Sequence, residues 1–207
     1  KDCKAISIGR ELGIRHFALS FAGLADEVNQ LRELAGRDSF IISKIESRRG
    51  LKNIKGIASA SDALLIDRGD MSREVPIERI PALQKQIMEQ GKNSKVKVYV
   101  ATNLLESMIT TPSQTRAEVN DIYNTLIDGA SGLVLAAETA IGQSPVQCAS
   151  MVASLIREFS QREQNKGIDI GTLPVQSQLI EPHGGQLIQC EANDDDRVNL
   201  VNLKSVT

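Results

Sequence analysis

The stretch from Phe40 to Asp70, FIISKIESRRGLKNIKGIASASDALLIDRGD, decides the fold. It holds two short apolar runs, Phe40–Glu46 and Ala63–Asp70, each ending in charged residues, with a segment of helical periodicity between them. An earlier run, Phe17–Phe21, starts 23 residues before the first, and the second starts 23 residues after it. Two later runs, Val96–Asn103 and Gly132–Thr139, follow at steps of about 33 and 36 residues. This spacing is too long for hairpins and suits parallel strands joined by crossover helices.

The intervening segments carry helix punctuation. Asp26 opens a stretch with Val28, Leu31 and Leu34 on one face, and Gly36 closes it. Pro76 to Gln90 places Leu83, Ile87 and Met88 together, with Gly91 as the stop. Thr115-Arg116-Ala117-Glu118 is a capping box ending at Asp128-Gly129. Ser144-Pro145 heads a further helix, with Val146, Ala149, Val152, Ala153, Ile156 and Phe159 on one stripe. Alternating strands and helices predict a parallel sheet with helices packed outside it. Two architectures then compete, an open doubly wound sheet and a (β/α)8 barrel. No glycine-rich phosphate loop follows the first run, which weakens a dinucleotide site. Polar residues recur at the ends of the runs: Ser20, Lys44, Glu46, Asp70, Thr102 and Glu138. Barrel enzymes keep their chemistry at that end of the strands. Five runs fall short of eight.

Composition narrows the classes of function. Of 207 residues, 41% are hydrophobic and 24% charged, a globular mix. The net charge is −2 and aromatic residues make up 3% with no Trp. A basic field or stacking platform for nucleic acid is therefore not expected, nor is a membrane span. Cys3, Cys148 and Cys190 are scattered and odd in number, without CxxC or His/Cys spacing. They argue against a disulfide framework or structural zinc and for a reducing, cytoplasmic setting. The chain opens on Lys1-Asp2-Cys3 within an apparent helix start, with no leader, so a processed chain or a segment of a longer one is expected. The periodic pattern covers residues 1–160. Residues 161–178 are polar, with Gly167, Gly171 and Pro174, and read as a linker. Residues 179–207 read as the start of a second, incomplete β-rich domain, with a turn at Pro182-His183-Gly184-Gly185 and a charged loop at Asp194–Asp196. His16 and His183 read as structural, and the aspartate run as a solvated loop.

The chemistry concentrates at Lys44-Ile45-Glu46. On a strand, positions 44 and 46 face one side, so a cation and a carboxylate project together. Asp70 lies near the end of the next run. Glu46 and Asp70 suit a shared Mg²⁺, a hard cation that favours oxygen ligands. Lys44 beside them could serve a phosphoryl or enolate oxygen. Thr102 could donate to a substrate carboxylate, and Gly69 could let backbone N–H groups approach an anion. Each feature also has a plain reading: a strand-end ion pair, a common turn tripeptide, a β-forming threonine.

Together the motifs resemble the pyruvate kinase family. They are Ile41-Ile42-Ser43-Lys44-Ile45-Glu46, Arg68-Gly69-Asp70, Ala101-Thr102 with Leu105-Glu106-Ser107-Met108, and Thr115-Arg116-Ala117-Glu118. Asp128-Gly129, Glu138-Thr139-Ala140 and Ser20-Phe21 extend the match over about residues 1–160. The resemblance implies strands four to eight of a (β/α)8 barrel, hence an α/β fold of about five βα units in a partial TIM barrel, followed by the linker and tail. It implies that Lys44 contacts the transferred phosphoryl group and that Glu46 and Asp70 hold Mg²⁺ (or Mn²⁺). It further implies that Gly69, Asp70 and Thr102 bind the carboxylate of phosphoenolpyruvate or pyruvate, with Thr102 near the proton-transfer face and Ser20 near the metal and phosphate.

Departures accompany the match. Gly23 stands where the family has Arg, Ala136-Ala137 where it has Ser-Gly, and Met71-Ser72 where it has Leu-Gly. The strands that hold the phosphate and monovalent cation in the family, its lid domain and its carboxy-terminal domain have no counterpart here. The resemblance thus implies a lost K⁺ site and little or no turnover by this chain alone. Residues 179–187 also resemble the opening of ATP sulfurylase, which implies a fusion parent. Two other functions remain open at this point: a Mg²⁺-dependent lyase or aldolase acting on pyruvate enolate, and a non-catalytic module regulating an attached sulfate-activating enzyme. Open sheet edges imply self-association, a homo-oligomer binding a small-molecule acid without nucleic acid or membrane partners.

Overall fold

The computed structural model describes residues 2–165. The chain runs α1 (Asp2–Glu11), β1 (His16–Leu19), α2 (Ala25–Ala35), β2 (Phe40–Ile45), α3 (Arg48–Lys52), α4 (Ile54–Ala60), β3 (Ala63–Asp67) and α5 (Arg68–Glu74). It continues through α6 (Ile80–Ser94), β4 (Lys97–Ala101), α7 (Arg116–Ile127), β5 (Gly132–Val134), α8 (Ala137–Ala140) and α9 (Pro145–Asn165). Short 3₁₀ turns, Ile77–Arg79 and Glu106–Ile109, precede α6 and follow β4. The expected linker and β-rich tail lie outside the described residues apart from the last turn of α9. Cys190, His183 and Asp194–Asp196 lie outside them too.

The five strands are parallel and pair in chain order, β1-β2-β3-β4-β5. Sequential parallel order with a helical crossover at each step is the barrel arrangement, so the fold is five βα units of a (β/α)8 barrel. A doubly wound sheet would reverse its strand order. Among the described residues β1 and β5 each pair on one side only.

Strand period two sorts the sheet into two faces. Ile41 and Ile45 of β2, Leu64 and Ile66 of β3, Val98 and Val100 of β4, and Leu133 of β5 point outward. They pack against Val28, Leu31, Ile57, Ile87 and Ile122 of the surrounding helices. Phe40, Ile42, Ala63, Leu65, Tyr99, Ala101 and Val134 form a smaller cluster on the inner face. Burial on that face pushes the Tyr99 hydroxyl pKa up. No helix among the described residues is long and apolar enough to cross a membrane.

Several boundaries differ from expectation for identifiable reasons. Gly91 does not stop α6, which runs on to Ser94 and ends at Lys95 with φ 57°. A Cβ on Gly91 would sit 2.2 Å from the Val98 side chain, so the glycine serves close helix–strand packing. α2 begins at Ala25, where the Glu27 carboxylate accepts from the N–H groups of Gly23 and Leu24 at 2.8 and 3.2 Å. Leu34 is exposed and Ala35 takes the buried position. α9 buries Cys148 and Val152, whereas Val146 on the expected stripe is exposed. The Thr115–Glu118 capping box forms as expected.

Candidate functional site

The inner-face side chains of β2 change character along the strand, from Phe40 and Ile42 to Lys44 and then Glu46. Those of β3 do the same, from Ala63 and Leu65 to Asp67. Pairing of Lys44 with Leu65 and Ile45 with Ile66 carries Glu46 level with Asp67. Charged groups from neighbouring strands therefore meet at the carboxyl ends. Lys44 Nζ lies 2.5 Å from Glu46 Oε1 and 3.1 Å from Asp67 Oδ2.

Glu46 is fully buried. Its Oε2 accepts the Phe21 N–H at 2.5 Å, and Phe21 takes a left-handed φ of 52° in making that contact. Oε1 is buried, and the Lys44 ammonium is the group that faces it. Burial drives the Glu46 pKa upward, against the opposing pull of Lys44 and the Phe21 N–H. For Lys44, burial alone would depress the pKa. The contacts with Glu46 and Asp67 together outweigh burial and hold it above the ordinary lysine value.

The run read as Ala63–Asp70 is strand only to Asp67. Arg68–Glu74 is helical, so Asp70 stands in the first turn of α5 instead of on a strand end. Asp67 makes the switch by capping: its Oδ1 accepts the Asp70 N–H at 3.3 Å. The turn brings Asp70 back toward Glu46. One carboxylate oxygen from each of Glu46, Asp67 and Asp70 lies within 4.8 Å of the others.

Thr102, just past β4, completes this end of the sheet. Its hydroxyl accepts the Gly69 N–H at 2.8 Å and has two acceptors for its own proton, Asp67 Oδ1 at 3.2 Å and Ala101 O at 2.7 Å. Thr102 and Asn103 have φ of 68° and 56°, a costly pair of conformations for non-glycine residues and above all for a β-branched one. Arg68 braces them. Its guanidinium donates to Thr102 O at 2.9 Å and pairs with Asp121 at 2.7 Å. The N–H groups of Gly69 and Asp70 read as anion donors are thus engaged within the protein. Ser20 is exposed in the turn after β1, next to Phe21.

Two residues of this region were not singled out from sequence as site residues. Asp67 ends a wholly apolar strand, and the alternation that selects Lys44 and Glu46 would have selected it too. Glu138 was read as a polar strand end but lies in α8, where it is buried. Its Oε1 accepts the N–H groups of Leu104 and Leu105, both at 3.1 Å, and its Oε2 that of Ala136 at 2.8 Å. It thereby anchors the loop that presents Thr102. Only the tertiary fold reveals that role.

Hard oxygen donors within 4.8 Å of one another, one of them on a fully buried carboxylate, and a neighbouring ammonium together fit Mg²⁺ or Mn²⁺ and an anionic ligand. Comparison with known proteins gives the site a context. Residues 1–149 match the family model described as pyruvate kinase, barrel domain. A pyruvate kinase from Thermotoga maritima is 38% identical over 165 residues, covering 78% of this chain and 35% of that protein. One from Thermoplasma acidophilum is 43% identical over 150 residues, covering 71% and 28%. One from Dictyostelium discoideum is 39% identical over 161 residues, covering 76% and 32%. The chain spans about a third of the length of the curated relatives it matches. These matches lend no support to the lyase reading or to a regulatory module.

Proposed function

Because the chain belongs to the pyruvate kinase family, we propose that it forms the metal- and acid-binding half of a site for phosphoenolpyruvate or pyruvate. The observation that carries this reading is the convergence of Lys44, Glu46 and Asp70 at the carboxyl ends of β2 and β3, with Glu46 fully buried beside the Lys44 ammonium.

Glu46 and Asp70 hold Mg²⁺ or Mn²⁺, which when bound offsets negative charge on the acid's oxygens. Lys44 supplies a positive charge to the phosphoryl group or to the enolate oxygen. Thr102 and the backbone of Gly69 and Asp70 orient the carboxylate. An arriving carboxylate takes over the Gly69 N–H that Thr102 Oγ1 now accepts, and the Thr102 hydroxyl turns toward the proton-transfer face. Ser20 borders the metal and phosphate region. Phosphoryl transfer to ADP belongs to a longer parent, and this chain alone binds without turnover. Among the described residues β1 and β5 each leave one edge unpaired, which favours association between copies of the chain.

Titration calorimetry with oxalate, an enolate mimic, tests the reading. Binding that requires Mg²⁺ and is lost in Lys44→Ala and Asp70→Ala is expected. Absence of binding by the unaltered chain in the presence of Mg²⁺ would refute it.

A further inference from the structure

We infer that Asp67 is a third oxygen ligand of the divalent cation at this site, an assignment that rests on the metal reading of Glu46 and Asp70 given above. Asp67 is the last residue of β3, faces the barrel interior like Lys44 and Glu46, and is only 7% exposed. A buried carboxylate at the end of an otherwise apolar strand is costly unless something offsets its charge.

Capping accounts for only half of the side chain. Oδ1 takes the Asp70 N–H and faces the Thr102 hydroxyl, at 3.3 and 3.2 Å. Oδ2 faces the Lys44 ammonium. That ammonium lies between Glu46 Oε1 and Asp67 Oδ2, so these two oxygens already share one cation. Three carboxylates exceed the single Lys44 ammonium, and the only other cation paired with them among the described residues is the exposed Arg73, 3.4 Å from Asp70, so negative charge is left for a cation to offset.

Distances agree with this ligand set. The three carboxylate oxygens span at most 4.8 Å. Oxygens on opposite sides of Mg²⁺ stand about 4.2 Å apart, given bonds of about 2.0–2.1 Å. Only one pair of the three can stand opposite, and adjacent ligands of such an ion are about 3 Å apart, so the carboxylates close in by as much as about 2 Å when the cation binds. A ligand set that includes Asp67 also releases Lys44 Nζ from Oδ2. The ammonium is then free for an anionic oxygen of the acid.

The test separates a ligand from a helix cap. Asp67→Asn and Asp67→Ser both keep a side-chain oxygen able to cap α5, and both remove the charge. Free Mn²⁺ is counted by electron paramagnetic resonance in titrations of the full chain, beside Asp70→Asn. Circular dichroism and thermal melts in EDTA identify which variants are folded, so that either folded Asp67 variant carries the test. The expected result is that each folded Asp67 variant weakens Mn²⁺ binding at least about tenfold. Mn²⁺ binding equal to that of the unaltered chain, while Asp70→Asn loses it, would overturn the inference and leave the metal reading standing. No Mn²⁺ binding by the unaltered chain would overturn both.

Discussion

Gly69 donates its N–H to Thr102 Oγ1 at 2.8 Å, tying the first turn of α5 to a threonine held at φ 68° beyond the neighbouring strand. This bond joins the β3 and β4 ends of the site and depends on a hydroxyl at position 102. Thr102→Val keeps the branched shape and strands the Gly69 N–H. A loss of about 1–3 kcal/mol in urea unfolding is expected, the cost of an orphaned donor. Thr102→Ser retains the hydroxyl and is expected to lose less than half of that. Equal losses in both variants would show that the hydroxyl does not hold the turn.

Lys44 offsets two buried carboxylates. Lys44→Ala leaves Glu46 without a counter-charge. Breaking a fully buried pair costs about 3–5 kcal/mol. The lysine side chain is 21% exposed, so the low end of that range is expected. Mn²⁺ should restore part of it, since a ligand at a hundred times its Kd contributes about 2.7 kcal/mol. Thermal melts with and without Mn²⁺ provide the check. A variant as stable as the unaltered chain in EDTA would show that the ammonium is not needed there.

Gly50 lies where α3 passes under the turn after β1. A Cβ at this position would stand 2.6 Å from the backbone oxygen of Ala22. The neighbouring Phe21 N–H donates to Glu46 Oε2. Gly50→Ala is therefore expected to cost about 1–3 kcal/mol, as overpacking does, and to weaken Mg²⁺-dependent oxalate binding at the same time. A stability loss with unchanged binding would uncouple the turn from the site.

Glu118 gives the fold a pH dependence of defined sign. Burial would raise its pKa, but the bonds from Ser107 and Thr115 outweigh burial and lower it. A lowered folded pKa means stability present above the ordinary glutamate value and lost as pH falls through the folded one. The difference in Tm between the unaltered chain and Glu118→Gln should therefore be full near neutrality and shrink on acidification below about pH 4.5. A difference that grows on acidification would reverse the sign.

Much of this architecture can be read from the chain because its signals are local. Strand alternation alone puts Lys44 and Glu46 on one face, and the crossover-length spacing of the apolar runs sets five parallel βα units. Asp67 was legible by the same alternation, but the apolar run continues into Arg68-Gly69-Asp70 and draws attention to its far end. The switch from strand to helix at Arg68 depends on a cap that competes with the strand only once Asp67 and Asp70 meet. The left-handed turn at Thr102 and the anchoring of its loop by Glu138 are set by Arg68, Asp121 and α8, which are distant in sequence. Gly91 was misread for a related reason: its glycine serves contact with Val98, not helix termination.

The most direct measurement is anomalous X-ray scattering from crystals of the chain soaked in Mn²⁺ and oxalate. A Mn²⁺ peak within about 2.2 Å of carboxylate oxygens of Glu46 and Asp70, in contact with oxalate, is the expected result. Oxalate seated at this end of the sheet with Mn²⁺ elsewhere, or no peak at these carboxylates at saturating Mn²⁺, would contradict the assignment of this site to metal and acid binding.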